Sequence, residues 1–136
     1  MSRYLLDTHA WVYFLADPTQ LPEGLEPLLE EARAQQALFV SAISAWEVAV
    51  LARKGRLAFT IGARRWLEDA LRVPGIEVVP LDAYTAVEAD GLSLPHTDPA
   101  DRFIAATALR LSAVLVSRDE KLQGLLGLQT LWKPEA

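Results

Sequence analysis

Four acidic residues, Asp7, Glu47, Asp101 and Asp119, interrupt surroundings that are otherwise apolar. Asp101 is the plainest case. On a 3.6-residue period it shares a face with Ile104, Ala105, Ala108 and Leu109, an apolar stripe that turns its carboxylate inward. Glu47 repeats the pattern, sharing a face with Ile43, Val50 and Leu51 and following Trp46. Asp7 and Asp119 each come just after a short apolar run. A carboxylate drawn out of water is costly unless a cation or a hydrogen-bond donor meets it. Several together repel one another and raise each other's pKa values. Divalent cations resolve that repulsion. A donor set of hard oxygens, with no cysteine in the chain and no paired histidines, suits Mg²⁺ or Mn²⁺ rather than Zn²⁺. Mg²⁺ held by carboxylates typically serves phosphate chemistry.

Each acid also has a purely structural account. Asp7, Asp98 and Asp119 can cap helices. Asp101 suits the positive end of a helix dipole, and Glu47 can meet an internal arginine. Thr8 and Ser117, beside Asp7 and Asp119, can orient a carboxylate, hold a water or act as caps. His9 and His96 are either phosphate contacts or ordinary surface histidines.

The acids need elements to position them. Residues 3–6 read as a short buried strand ending at Asp7, followed by a helix over 10–16 and a second over 25–36. A strand over 38–41 leads to a helix over 42–54, with Gly55 past its end. A helix over 63–73 stops at Pro74-Gly75, and 76–81 is a β-branched strand. Asp82 caps a helix over 83–90, and 92–97 is a loop. The helix over 99–112 has Asp98 as N-cap and Pro99 at its first position. A strand over 113–117, a short helix over 120–126 and an edge strand over 129–132 complete the chain. Strands that are continuous apolar runs, alternating with helices, predict an α/β sandwich around a mostly parallel sheet. In such a sheet the carboxyl ends of the strands share one rim, where ligand sites form. Asp7 and Asp119 fall on that rim, with Asp101 in the first turn, and Glu47 within two turns, of helices that start there.

The bulk properties set limits. A chain of 136 residues, 51% of them hydrophobic, suits one ordered domain. No apolar run reaches membrane-span length, and Asp7 and His9 interrupt the apolar N-terminus, which speaks against a signal peptide. With no cysteine this predicts a cytoplasmic protein. The net charge of −5 by itself argues against a nucleic-acid binder. The charge is uneven, however. Arg53, Lys54, Arg56, Arg64, Arg65 and Arg72 face only Glu68 and Asp69 in their stretch, either a solvated helix face or a patch that follows phosphates. No glycine-rich phosphate loop, nucleophile elbow or Cys/His pattern is present.

Taken in order, LLDTHAWVYF at 5–14, SAISAWEVAV at 41–50, RKGRL at 53–57, HTDPADRFIAATAL at 96–109 and LVSRDEKL at 115–122 resemble PIN-domain proteins, most closely the VapC-type toxins of bacterial toxin–antitoxin pairs. The resemblance covers almost the whole chain. It implies a three-layer α/β/α fold and Mg²⁺- or Mn²⁺-dependent endoribonuclease activity with one or two ions. It also implies a homodimer and a cognate VapB-type antitoxin whose tail enters the acidic groove. The family's acid positions map onto Asp7, Glu47, Asp101 and Asp119, and Asp98 matches an extra acid found in part of the family. On that reading Asp7 and Asp101 hold the principal ion, with Glu47 and Asp119 beside them. Arg53, Lys54, Arg56, Arg64 and Arg65, together with Arg102 and Arg118, hold flanking RNA phosphates.

Two other classes compete. One is a PIN-like module that binds RNA or protein without turnover, against which four inward acids argue. The other is a phosphoacceptor domain, which wants an acid pair near the first strand and a lysine near the last. Here Asp7 stands alone and Lys121 lies beyond Asp119.

Overall fold

Leu5, Phe39 and Leu115 stand in register on neighbouring strands, and so do Leu6, Val40 and Val116. Because side chains alternate along a strand, the two sets face opposite sides of the sheet. Both sets are buried, which demands a layer of helices on each face. The computed structural model describes residues 2–94, 98–122, 124–125 and 127–134 and meets that demand.

The strands are β1 (Tyr4–Leu6), β2 (Leu38–Ser41), β3 (Ile76–Val79), β4 (Val114–Val116) and β5 (Thr130–Leu131). They pair entirely in parallel in the order β3-β2-β1-β4-β5. The helices are α1 (Thr8–Ala16), α2 (Leu25–Ala34), α3 (Ala42–Arg53), α4 (Ala63–Ala70), α5 (Ala83–Asp90) and α6 (Pro99–Leu111). One face carries Leu6, Val40 and Val116 against Trp11, Leu25, Leu29 and Trp66, from α1, α2 and α4. The rings of Trp11 and Trp66 meet edge-on at 5.4 Å, and Phe59 stacks on Trp66 at 4.5 Å. The other face carries Leu5, Phe39 and Leu115 against Ile104 and Ala108 of α6. The expected three-layer α/β/α sandwich is therefore present, with a sheet that is wholly parallel among the described residues.

Several boundaries differ from the sequence pattern, each for a local reason. Helix α1 begins at Thr8 rather than residue 10, because the Asp7 carboxylate accepts from the Ala10 amide at 2.8 Å. Strand β3 ends at Val79, before Pro80, which has no amide to donate. Of the helix expected over 120–126, the described residues form a single 3₁₀ turn at Glu120–Leu122, and residues 123 and 126 lie outside them. Part of the predicted 92–97 loop, including His96, lies outside the described residues.

The chain builds β1, β2 and β3 outward in one direction, then returns to place β4 on the free side of β1. The strand order reverses between β1 and β4. Parallel sheets open a crevice at such a reversal, at the carboxyl ends of the strands.

Candidate active site

Asp7 leaves the end of β1 into that crevice, and Ser117 and Asp119 leave the end of β4. Helix α3 starts directly from β2, with Ser41 as N-cap, and carries Glu47 up beside them. Helix α6 begins at the same rim, with Asp98 accepting from the Ala100 amide at 3.0 Å and Asp101 in its first turn. One cleft of about 1000 Å³ is lined by Asp7, Thr8, His9, Glu47, Asp98, Pro99, Asp101, Arg118, Asp119, Glu120 and Lys121.

The capping accounts also hold for three of the acids, and they are compatible with a role in the cleft. Asp7 caps α1, Asp98 caps α6, and Asp119 Oδ1 accepts from the Lys121 amide at 2.9 Å. A cap fixes one oxygen and the direction of the carboxylate. Ser117 joins two acids. Its hydroxyl donates to Asp7, and its Oγ accepts from the Asp119 amide at 3.0 Å. Thr8 is 2% exposed, donates to Glu47 Oε1 and contacts Ser44 Oγ at 2.9 Å.

The electrostatics are those of a crowded anionic site. Burial pushes the Asp7 carboxyl up, against the lowering effect of its bonds to Ser117 and Ala10. Burial also raises Glu47, with Asp98 and Asp7 adding to the rise and the Thr8 bond opposing it. Asp101 is pushed to about 7, first by desolvation and then by the charges of Asp98, Glu47, Asp119 and Asp7. The structural account of Glu47, an internal arginine, is not what the fold supplies: among the described residues Glu47 bonds Thr8.

The four acids share the cleft but do not close into one ligand cage. Among the described residues, no group of three or more acidic or histidine side chains is arranged, as it stands, to hold a metal ion. The chemistry of the donors still fits a hard divalent cation. All are carboxylate oxygens, and the charge crowding that raises Asp101 is what such an ion relieves.

The predicted RNA contacts divide. Arg118 is at the cleft, its guanidinium carbon 5.4 Å from the centroid of the Tyr13 ring. Arg102 Nη1 donates to the carbonyls of Ala89 and Leu92, at 3.1 and 2.9 Å, and so ties α6 to the end of α5. Arg53 and Arg64 flank a separate apolar groove between α3 and α4 with Ala49, Ala52, Ala63 and Leu67. Arg64 pairs with Glu68 at 3.5 Å and Arg65 with Asp69 at 3.4 Å, while Lys54 and Arg56 are exposed. That stretch is thus outside the acidic cleft. Sequence reasoning passed over Ser44 and gave Lys121 no part in the site. Ser44 was detectable as a polar residue one helical turn before Glu47, on the same face of α3.

A PIN-domain family model matches residues 4–125, a span that contains all four acids. This chain is a member of the PIN-domain family. It is similar to Ribonuclease VapC22 of Mycobacterium tuberculosis (strain ATCC 25618 / H37Rv), 36% identical over 124 residues, which is 90% of this chain and 92% of that one. The PIN fold recurs in the DNA-bound VapBC of Salmonella typhimurium, with a TM-score of 0.69 and 18% identity over 96% of this chain and 98% of that one. It recurs too in VapBC2 of Rickettsia felis bound to a promoter DNA fragment, with a TM-score of 0.64 and 19% identity over 96% and 98% of the two chains. At those identities the structural likeness speaks for the fold.

Proposed function

We propose that this PIN domain is a metal-dependent endoribonuclease, the VapC-type toxin of a toxin–antitoxin pair. The observation that carries the reading is the placement of Asp7, Glu47, Asp101 and Asp119 around one cleft at the strand-order reversal. Its 36% identity to a protein named as a ribonuclease supports the same activity.

Asp7 and Asp101 would hold the principal Mg²⁺ or Mn²⁺, with Glu47 and Asp119 contributing directly or through water to that ion or to a second one. When bound, the ion neutralises the acids and lowers the pKa of water for attack on a phosphodiester. The protein's own side chains orient, bind and accept protons. Caps on α1 and α6 aim Asp7 and Asp98, and Ser117 holds Asp7 and Asp119 in relation to each other. Arg118 and Lys121 line the same cleft and bind phosphates on either side of the scissile bond. One of the cleft carboxylates takes the proton released by the attacking water.

A VapB-type antitoxin is the proposed protein partner, supported by likeness in fold to chains of VapBC assemblies. The chain acts as a homodimer. Trp46, Tyr84 and Val87, which are 55%, 74% and 74% exposed, supply apolar surface for an interface. No described helix is long and apolar enough to cross a membrane, and the proposed site of action is the cytoplasm.

The test is RNA cleavage by the purified chain with Mg²⁺, with Mn²⁺ and with EDTA. Cleavage with either ion, lost in EDTA and in Asp7→Asn, is expected. RNA bound but never cut would favour the binding module, and cleavage unaffected by EDTA would exclude the metal mechanism.

A further inference from the structure

We infer that Ser44 is a positioning residue for Glu47, acting through the hydroxyl of Thr8. The inference rests on the reading of Glu47 as a carboxylate of the metal site. Ser44 is 0% exposed and Thr8 is 2% exposed, so neither hydroxyl is satisfied by bulk water. The two oxygens are 2.9 Å apart, although the residues are 36 positions apart in the chain. Thr8 also bonds Glu47 Oε1.

Proton accounting gives this chain of bonds a direction. A hydroxyl carries one hydrogen, and an ionised carboxylate only accepts. Thr8 therefore donates to Glu47, and Ser44 must donate to Thr8. The result is a line of two hydroxyls from the interior of α3, across to the first residue of α1 and back to the acid on α3. It fixes Oε1 of Glu47 and leaves Oε2 without a described hydrogen-bond partner. It also ties Glu47 to the residue that follows Asp7.

Packing alone does not call for this arrangement. Alanine is the better helix former at position 44 and would bury no polar atom. Ser44 precedes Glu47 by three residues, which puts both on one face of α3 and lets a single threonine bridge the pair. Hydrogen bonds that orient a metal's ligands are worth about 10–100-fold in metal affinity.

The probe is Mn²⁺ binding to the full chain without RNA, followed by calorimetry, beside melting in EDTA. The variants are Ser44→Ala, Thr8→Val and Thr8→Ser. Ser44→Ala should weaken Mn²⁺ binding about 10-fold while melting in EDTA near the parent temperature. Thr8→Val, which removes the bridge itself, should weaken it more. Thr8→Ser, which keeps the hydroxyl, should restore binding to near the parent value. Equal Mn²⁺ isotherms for parent and Ser44→Ala would overturn the inference. So would a loss in Thr8→Ser as large as in Thr8→Val, since packing of the threonine methyl would then be the cause. A parent chain that binds no Mn²⁺ would instead overturn the reading of the acids as a metal site.

Discussion

Asp98 and Asp101 stand one helical turn apart at the head of α6, and the charge of Asp98 helps raise the pKa of Asp101. The helix dipole favours acids there. Desolvation and the surrounding acids outweigh it, and the carboxyl sits at about 7 rather than 3.8. The folded chain therefore binds a proton at Asp101 that the unfolded chain has already released. The stability this group contributes is fully present below pH 3.8 and is lost as pH rises to about 7. Glu47 and Asp7 shift in the same direction. Between pH 5 and 8 in EDTA the melting temperature should fall, and millimolar Mg²⁺ should recover most of the loss at pH 8. A metal-free melting temperature that rises over that window would contradict the charge crowding.

Arg118 and Arg102 make opposite predictions although both are arginines near the acids. Arg118 lies across the Tyr13 ring at the cleft, a contact that restrains an exposed side chain without consuming its hydrogen-bond donors. Arg118→Gln should raise KM for RNA with little effect on melting. It should also reduce the salt slope of RNA binding by about 0.7, the value of one phosphate contact on a single strand. Tyr13→Leu should do the same more weakly. An unchanged salt slope in Arg118→Gln would remove Arg118 from the substrate path.

Arg102 holds two backbone carbonyls, those of Ala89 and Leu92. Removing a charged donor from partly buried carbonyls costs about 1–3 kcal/mol. Arg102→Leu should therefore lower the melting temperature by several degrees and leave the salt slope of RNA binding unaltered. If KM rises with no loss of stability, Arg102 belongs with Arg118.

Much of the fold could be read from local chemistry. The 3.6-residue period turned Glu47 and Asp101 inward, and the apolar runs at 3–6 and 113–117 placed Asp7 and Asp119 at strand ends. Those are short-range signals. The order of the strands is not local, since no pattern in β4 says that it lies beside β1; the alternation of strands and helices carried the layered sandwich, and only the resemblance carried the strand order. Long side chains are also hard to place from spacing. Arg102 and Arg118 look alike in the sequence, yet one reaches back to α5 and the other out over Tyr13. Ser44 carried only a weak signal, its place one helical turn before Glu47. A serine in the alanine-rich stretch AISAWEVA resembles a neutral helix residue until the hydroxyl of Thr8 is found beside it.

Gly75 offers a test of the scaffold away from the cleft. Its φ is +86°, and an added Cβ would come within 2.6 Å of Arg33 Cγ. Arg33 is held there by its Nε, which donates to the Pro74 carbonyl at 2.8 Å. Gly75→Ala should cost about 1–2 kcal/mol from the left-handed backbone alone, and displacing Arg33 adds to that. Chemical denaturation should show the loss, while cleavage per folded molecule stays at the parent level.

Asp101→Asn separates a metal ligand from a structural acid most directly. The substitution keeps the size of the side chain and its place in α6 while removing the charge that Asp98, Glu47, Asp119 and Asp7 oppose. If Asp101 served the fold through a buried ion pair, its loss would strand a charge and cost about 3–5 kcal/mol. If it serves a cation, the metal-free protein loses a repulsion and becomes equally stable or slightly more so above pH 7. The ion is then misplaced or lost, and RNA cleavage should fall at least about 100-fold, in keeping with what a missing metal ligand removes from the activation of water. The two accounts give opposite signs for stability in EDTA. Thermal melting at pH 8, read beside cleavage with Mg²⁺, distinguishes them: the expected variant melts no lower than the parent and cuts no RNA. A variant that melts well below the parent, yet cleaves normally in its folded fraction, would return Asp101 to the structure and take the metal site with it.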